Sequence, residues 1–333
     1  MRRFRTFASM IFLGIAMAPL GPLPAASADE PILEEQLVDD LQNLFGRHPG
    51  QRTNHAKGIV VEGEFAAAPE AASLSRAAHL QAGSRVPVTV RFSAATGLPD
   101  IPDGHPQANP HGMAVKFRLP DGSDTDIVIN SLHFFPVATG AEFHEFLTAA
   151  AATKPDSPKP TKLDEFFAAH PAAKRAGATT KTPASYAMEE YFGINAFQFA
   201  NAAGERRHIR YVMEPAAGVS HLDPEAAAKQ PPNFLSDDLL QRLKAGPVSF
   251  RLLAQVAAPE DPTADATVPW PETRQRVELG TLTITKAAAD NEAAAKDLLF
   301  LPDQLTDGIE PSDDPLIAVR GGAYAVSFSR RSE

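Results

Sequence analysis

The most distinctive chemical pairing in the sequence is Arg320 with Tyr324, four residues apart in the segment 315–328. This spacing places both side chains on one face if the segment is helical. Gly321 and Gly322 lie between them, and each glycine weakens an intrinsic helix by about 1 kcal/mol. A helix here therefore predicts a close-packed neighbour against the bare backbone, for which a flat cofactor is a candidate. Taken alone, Tyr324 fits an ordinary amphipathic core position at least as well.

Histidine is the second candidate for chemistry, because a neutral imidazole near its working pKa both accepts and donates a proton. His55 stands in the segment Arg-Thr-Asn-His-Ala-Lys-Gly, but it is one of ten histidines, and a lone histidine is more often a structural hydrogen-bonding residue. His105, His111 and His133 form a conceivable metal set, yet no paired carboxylate completes it. Residue type alone therefore does not decide whether His55 is catalytic or structural.

Several other classes of site are excluded by composition. The chain has no cysteine, so metal chemistry must use histidine, tyrosine or carboxylate ligands. It has no glycine-rich phosphate loop and no Gly-x-Ser-x-Gly motif, which argues against phosphoryl transfer and serine hydrolysis. The formal net charge is −10 without a basic run beyond the first residues, which predicts no nucleic-acid partner.

The first 28 residues have the order of a secretory signal peptide. A basic start with Arg2, Arg3 and Arg5 precedes a short apolar stretch at 11–18, and the small-residue pattern Ala-Ser-Ala ends at Ala28. The apolar stretch is too short for a stable membrane anchor. We expect cleavage near Ala28 and a periplasmic or secreted protein, exported by the general or the twin-arginine route. Residues 29–333 are then expected to form a single domain.

The secondary-structure elements that must position these residues indicate an α+β fold. Runs rich in Val, Ile and Phe, separated by Gly, Pro and Asp turns, predict strands of an antiparallel sheet or barrel at 58–65, 86–92, 113–119, 126–129, 196–199, 208–213, 248–256 and 280–284. Apolar residues at helical spacing predict helices at 31–45, 143–151, 162–169 and 236–244, the last with Ser236 as its N-cap.

Five separated segments, taken in order, resemble the catalase family. They are Arg-x-x-His-Ala-Lys-Gly at 52–58 with a following Gly-x-Phe, Val-Thr-Val-Arg-Phe-Ser at 88–93, Asn-Pro-His-Gly-Met-Ala-Val-Lys-Phe at 109–117, Asp-Ile-Val-Ile-Asn at 126–130 followed by Phe143, and Arg-x-x-x-Tyr at 320–324. The resemblance runs from about Arg52 to Arg331. It implies a catalase-like antiparallel β-barrel core with surrounding helices.

The resemblance also implies a haem cofactor, expected to be haem b, with Tyr324 as the iron ligand. An anionic oxygen donor favours ferric iron, and a guanidinium one turn away, supplied by Arg320, favours the phenolate. Arginine suits bidentate binding of the two haem propionates. Arg52 and Arg91 match the family's propionate arginines, and Arg331 matches a third. Phe143 matches the phenylalanine that packs on the porphyrin, and Phe92 either contacts the porphyrin or belongs to the barrel core.

On the opposite face of the haem, the family's catalytic positions match His55 and Asn130. His55 would transfer a proton between the two peroxide oxygens, and Asn130 would hold those oxygens by hydrogen bonds without adding charge. Ser93 could fix the tautomer of His55. Without the neighbouring matches, Asn130 would read as a turn residue that closes a strand.

The sequence also departs from typical catalases. It ends nine residues after Tyr324, so we expect a minimal version without the C-terminal extension, with a shorter channel and a monomer or small homo-oligomer. Asn54 replaces an aliphatic neighbour of the histidine. These features predict a haem peroxidase that reduces peroxides with small organic electron donors and has weak catalase activity. A fatty-acid hydroperoxide isomerase and a non-enzymatic periplasmic haem-binding protein remain as alternatives.

Overall fold

The structure is a computed structural model that describes residues 31–332. The predicted signal peptide and its cleavage site lie outside these residues. From Ile32 onward the described chain forms one compact unit. Within 31–332, no helix combines the length and the apolar character needed to cross a membrane.

Twelve strands are present in the described part of the chain. They are β1 (Gly58–Ala67), β2 (Arg85–Ala94), β3 (His111–Arg118), β4 (Asp124–Asn130), β5 (Thr182–Pro183), β6 (Tyr191–Phe192), β7 (Phe197–Ala200), β8 (Arg206–Pro215), β9 (His221–Leu222), β10 (Val248–Val256), β11 (Arg276–Ala287) and β12 (Ile309–Pro311). The large sheet has the order β10-β11-β1-β2-β3-β4-β6-β8-β7-β12. A further antiparallel pairing of β10 with β8 closes eight of these strands into a barrel, which confirms the predicted architecture. β5 and β9 form a separate pair.

Eight α-helices surround the barrel in the same described residues. They are α1 (Leu33–Phe45), α2 (Gly140–Ala152), α3 (Lys162–Ala169), α4 (Pro171–Thr179), α5 (Pro224–Ala228), α6 (Phe234–Ala245), α7 (Asn291–Asp297) and α8 (Leu316–Ser332), with short 3-10 helices at Pro69–Ser73, Ala78–Leu80, Pro106–Ala108 and Tyr186–Met188. α2 begins with a capping box in which Thr139 and Glu142 exchange side-chain and backbone hydrogen bonds.

Strand alternation separates the barrel core from the wall that carries the candidate site. In β2, Val86, Val88, Val90 and Phe92 point into the barrel core, because successive side chains of a strand face opposite sides. Arg91 therefore lies on the outer face of the barrel. Phe92 is fully buried and stacks with Tyr186 at 5.2 Å between ring centroids, so its core role is the one that the fold uses.

Two local predictions were wrong. α6 begins at Phe234 with Asn233 at the N-cap, not at Ser236, since burial of Phe234 and Leu235 extends the helix by part of a turn. The two glycines of α8 accommodate acidic side chains and not a cofactor. A Cβ at Gly321 would lie 2.5 Å from the Asp303 carboxylate, and one at Gly322 would lie 2.6 Å from Cγ of Glu34.

Candidate active site

A cavity of about 850 Å³ lies between the outer wall of the barrel, α1, α2 and α8. All eight of the residues that the sequence nominated as site residues line it, namely Arg52, His55, Arg91, Asn130, Phe143, Arg320, Tyr324 and Arg331. Its volume falls within the range of ligand pockets, and most of its lining is apolar. The fold thus brings the separated segments to one place.

His55 is fixed from two sides at the end of the loop that leads into β1. Its Nδ1 lies 3.0 Å from Oγ of Ser93, and its backbone has a φ of +56°, which is uncommon for a residue with a side chain. Gly112 of β3 makes room for the ring, because a Cβ at that position would lie 2.9 Å from Cε1 of His55. The imidazole position is therefore determined by three separate segments.

Burial, together with the positive charges of Arg91, Arg320 and Arg52, lowers the pKa of His55 to about 3. The imidazole is consequently neutral across the ordinary pH range and is available to accept a proton. The predicted bond with Ser93 is present and leaves Nε2 as the nitrogen for a ligand.

Asn130 is the last residue of β4, and its amide is oriented by its own turn. Oδ1 accepts a hydrogen bond of 2.7 Å from the backbone N–H of Leu132. Since Asn130 also lines the cavity, the Nδ2 group is the half of the amide that remains for a ligand. Asn54 lines the cavity as well, and its Oδ1 is buried without a hydrogen-bond partner among the described residues.

Tyr324 lies on α8, which forms another wall of the cavity. Nε and Nη2 of Arg320 both lie 3.3 Å from the phenolic oxygen, which gives the one-turn pairing that the spacing predicted. Arg320 is in turn hydrogen-bonded to Oδ1 of Asn195, and Nδ2 of Asn195 donates to Asp314 at 2.8 Å. Asn195 and Asp314 are nearly fully buried, so this chain of hydrogen bonds holds the guanidinium against the phenol.

Three arginines cluster at the edge of the cavity without a salt-bridge partner among the described residues. In the part of the chain that the structure describes, Arg52, Arg91 and Arg331 form no salt bridge, and Nε of Arg91 and Arg331 is buried without any hydrogen-bond acceptor. Arg52 and Arg331 both donate to the carbonyl of Leu298, and Arg91 donates to the carbonyl of Ala56 at 3.0 Å.

The positive charge of this arginine cluster is not balanced by a salt bridge with any described residue. Burial, then Arg91 and Arg331, lowers the pKa of Arg52 to about 7. Burial lowers the pKa of Arg91 to about 10, and it lowers the pKa of Arg331 to about 10 although the charge of Asp297 partly opposes the shift. Uncompensated buried cations are costly, so this edge favours a ligand with carboxylates. A haem, with two propionates on one edge and a flat apolar body, fits this set of donors and the apolar walls beside it.

The apolar wall of the cavity includes Phe143 of α2. Its ring packs against Phe135 at 5.5 Å and Phe146 at 6.1 Å between centroids.

The three histidines His105, His111 and His133 do not form a metal site, since no group of three or more His, Cys, Asp or Glu residues suited to a metal ion occurs within 31–332. His111 instead lies buried with its ring edge against Tyr186.

Sequence reasoning missed three supporting contributions. Gly112 was part of a quoted motif, but only the structure shows that it faces His55. Asn195 lies 125 residues from Arg320 and carries no local signal. The Leu298 carbonyl is a backbone group, for which side-chain identity gives no sign.

Comparison of the sequence with known proteins identifies the family. A family model described as catalase matches residues 25–332. The chain is 38% identical over 302 residues to a catalase-related peroxidase of Mycolicibacterium paratuberculosis, covering 90% of this chain and 94% of that protein. It is 34% identical over 338 residues to a catalase-related peroxidase of Synechococcus elongatus, covering 99% and 97%. A catalase of Pseudomonas syringae is 32% identical, and 61% of that longer protein is covered.

The solved structures agree at the level of the fold. A fungal catalase superposes with a TM-score of 0.75 at 20% identity, covering 94% of this chain and 66% of that one. Catalase A from Saccharomyces cerevisiae superposes with a TM-score of 0.74 at 19% identity, covering 95% and 68%. The chain thus spans about two thirds of the length of these catalases. The matched family model and the relatives above 30% identity together show that this chain belongs to the catalase family.

Proposed function

We propose that the protein is a haem-dependent peroxidase that reduces hydrogen peroxide or organic peroxides with small organic electron donors and has weak catalase activity. The observation that carries this proposal is a single cavity with a neutral histidine on one wall, an arginine-paired tyrosine on another and, at its edge, three arginines that form no salt bridge with the described residues. The relatives matched over almost their whole length are named catalase-related peroxidases, which supports the same activity.

The cofactor we propose is haem b, which when bound supplies the iron that reacts with peroxide. Tyr324 would bind the haem iron, and Arg320 would stabilise its phenolate form through the two contacts of 3.3 Å. Arg52, Arg91 and Arg331 would bind the propionates, replacing their present bonds to backbone carbonyls. Phe143 would pack against the porphyrin.

The proton chemistry belongs to His55 and Asn130. Breaking the peroxide O–O bond requires that one oxygen lose a proton and the other gain one. Nε2 of His55 would accept and then return that proton, because burial keeps the imidazole neutral and Ser93 holds Nδ1. Asn130 would donate from Nδ2 to a peroxide oxygen, since its Oδ1 is occupied by Leu132.

The balance between peroxidase and catalase turnover can be tested directly. We expect the haem-loaded protein to oxidise a phenol or a diammonium dye with hydrogen peroxide and to release little oxygen in the absence of dye. Dye oxidation and oxygen release are measured in parallel at the same peroxide concentration. Vigorous oxygen release without dye oxidation would overturn the peroxidase assignment.

Export and assembly complete the proposal. The order of residues 1–28 supports cleavage near Ala28 and a periplasmic or secreted protein whose residues 29–333 form one domain. We propose a monomer or small homo-oligomer. Mass spectrometry of protein recovered from the periplasm, together with its solution mass, tests both points.

A further inference from the structure

Tyr186 is a buried tyrosine whose hydroxyl group has no hydrogen-bond partner among the described residues. It begins the 3-10 helix Tyr186–Met188, and its side chain is fully buried. Native proteins rarely leave a buried hydroxyl group without a partner, because the lost hydration is not replaced. A phenylalanine would fill the same space without this cost, so packing alone does not explain a tyrosine at this position.

Two rings contact Tyr186 in the part of the chain that the structure describes. Phe92 stacks on it with 5.2 Å between centroids, and His111 packs edge-on at 5.8 Å with the ring planes at 71°. Of these two neighbours only His111 can accept a proton. Its Nδ1 and Nε2 are both buried without a hydrogen-bond partner, and burial lowers its pKa to about 3, so the imidazole is neutral. Tyr186 and His111 therefore form a buried pair of a proton donor and a proton acceptor.

This pair lies directly behind the wall of the cavity. Phe92 lies between two cavity residues, Arg91 and Ser93, and His111 precedes a third, Gly112. Successive side chains of a strand face opposite sides, so the rings of Phe92 and His111 point away from the cavity and towards the tyrosine. One layer of strands therefore separates the phenol from the place where peroxide would react.

The other buried tyrosines and the single tryptophan are less suited to losing an electron together with a proton. Tyr191 donates its hydroxyl proton to the backbone carbonyl of Tyr186 at 3.1 Å, and an amide carbonyl is too weak a base to take that proton up. Tyr211 contacts two phenylalanine rings but no histidine ring among the described residues. Trp270 has the guanidinium of Arg210 at 4.6 Å from its ring centroid, and this positive charge opposes the removal of an electron from the indole.

We propose that Tyr186 is a redox-active residue that gives one electron to the haem once peroxide has oxidised the haem, while its phenolic proton moves to His111. This inference rests on the proposed peroxidase function and goes beyond it. The electron would pass through the stacked ring of Phe92, which is next in the chain to two cavity residues. The protein could then hold one oxidising equivalent inside the barrel until an organic donor arrives.

The step is balanced within the proposed reaction. Tyr186 loses one electron, which reduces the oxidised haem by one equivalent, and its O–H bond breaks to leave a neutral tyrosyl radical. The proton forms an N–H bond on His111, because a phenol that has lost an electron is a strong acid and a neutral imidazole accepts its proton. One molecule of the organic donor later returns an electron, and His111 returns the proton, which restores the tyrosine.

The test is electron paramagnetic resonance of the haem-loaded protein, frozen after addition of an equimolar amount of hydrogen peroxide without a donor. We expect a tyrosyl radical signal in the wild type, which becomes narrower when the protein contains ring-deuterated tyrosine. In Tyr186→Phe the signal should fall about tenfold or more. Since the hydroxyl group has no hydrogen-bond partner in the described residues, this substitution should not lower the Tm.

Two further variants separate the redox role from packing. Tyr191→Phe is the matched control, because it removes a neighbouring buried hydroxyl group and its hydrogen bond of 3.1 Å. It should lower the Tm and retain the radical signal. His111→Leu keeps the phenol but removes the proton acceptor, and the radical signal should fall about tenfold.

The outcomes separate this inference from the proposed function. If peroxide does not change the optical spectrum of the haem-loaded protein, the proposed peroxidase function itself fails. If the spectrum changes but the wild type forms no tyrosyl radical, or Tyr186→Phe retains the radical, the redox role of Tyr186 is overturned and the peroxidase assignment stands. An equal loss of signal in Tyr186→Phe and Tyr191→Phe would also overturn it, and an undiminished signal in His111→Leu would overturn the role of His111.

Discussion

His55 is kept neutral by its surroundings, and a neutral imidazole is the form that can accept a proton from a peroxide. Its ring is buried beside three arginines, and its pKa is lowered to about 3.

We predict that His55→Gln retains haem but loses its reaction with peroxide by about 10²- to 10⁴-fold, the range associated with general acid–base catalysis. Glutamine preserves a hydrogen-bonding side chain but cannot transfer the proton. Stopped-flow absorbance after mixing with hydrogen peroxide measures the rate, and haem content is measured in the same sample. A variant that reacts at the wild-type rate would favour the carrier alternative.

Arg52 illustrates a residue that is present for a ligand and not for the fold. Burial and two neighbouring arginines disfavour its charge, and no acidic side chain in the described residues forms a salt bridge with it. We predict that Arg52→Leu binds haem about tenfold more weakly, because one propionate loses a charge-assisted hydrogen bond.

The same substitution should not lower the Tm of the haem-free protein, since it removes an uncompensated buried cation. Haem titration of the wild type and of Arg52→Leu tests the expected loss of affinity, and thermal unfolding of the two haem-free proteins tests the expected Tm. A lower Tm for the haem-free variant with unchanged haem affinity would show that Arg52 has a structural role.

At the scale of the elements, the strands that carry the site could be predicted from the sequence, because runs rich in Val, Ile and Phe between turn residues predicted β1 to β4 to within two residues at each end. The site residues themselves were anticipated from the resemblance of five ordered segments to the catalase family. Strand alternation then places Arg91, Gly112 and Asn130 on the outer wall of the barrel.

What could not be anticipated depends on packing between distant elements. α4 begins with Pro171 and contains no apolar side chain larger than alanine after it, and no helix was predicted there. The pairing of Asn195 with Arg320 bridges 125 residues. The partners of Gly321 and Gly322 come from α1 and from the loop before β12, which no local pattern identifies.

A substitution at Gly112 tests how closely β3 packs against the ring of His55. In Gly112→Ala the added Cβ would lie 2.9 Å from Cε1 of His55 and 3.0 Å from Oγ of Ser93. We expect the ring to be displaced and the peroxide reaction to slow by about tenfold or more, with the fold intact.

Gly246→Ala is the matched control for this substitution, because a Cβ there meets nothing within 4 Å. Circular dichroism and peroxide kinetics on both variants provide the comparison. Equal kinetics in the two variants would contradict the role assigned to Gly112.

At the scale of the whole molecule, buried histidines link stability to pH. Burial lowers the pKa of His55 and His111 to about 3 and that of His79 to about 4. Between about pH 6.5 and 4 the unfolded chain takes up protons that the folded protein excludes, so stability is lost as the pH falls through this window. Each such histidine contributes a loss of about 2 kcal/mol at pH 5.

His111→Leu isolates this effect. Asp126 and Glu189 have the opposite effect on stability, because burial raises their pKa values to about 6 and about 8. The pH dependence of the wild-type free energy of unfolding is therefore a sum of the two effects. We predict that the free energy of unfolding in urea falls less in the variant than in the wild type between pH 7 and pH 5. Equal losses would contradict the prediction.

We propose that a haem binds in the cavity between Tyr324 and His55. This proposal is tested most directly by the optical and resonance Raman spectra of the purified haem-loaded protein and of Tyr324→Phe, before and after addition of hydrogen peroxide. We predict high-spin ferric haem with iron–phenolate vibrations in the wild type, the loss of those vibrations in the variant, and a rapid spectral change with peroxide only in the wild type. Identical spectra for the two proteins, or a wild-type haem without phenolate vibrations, would contradict the account.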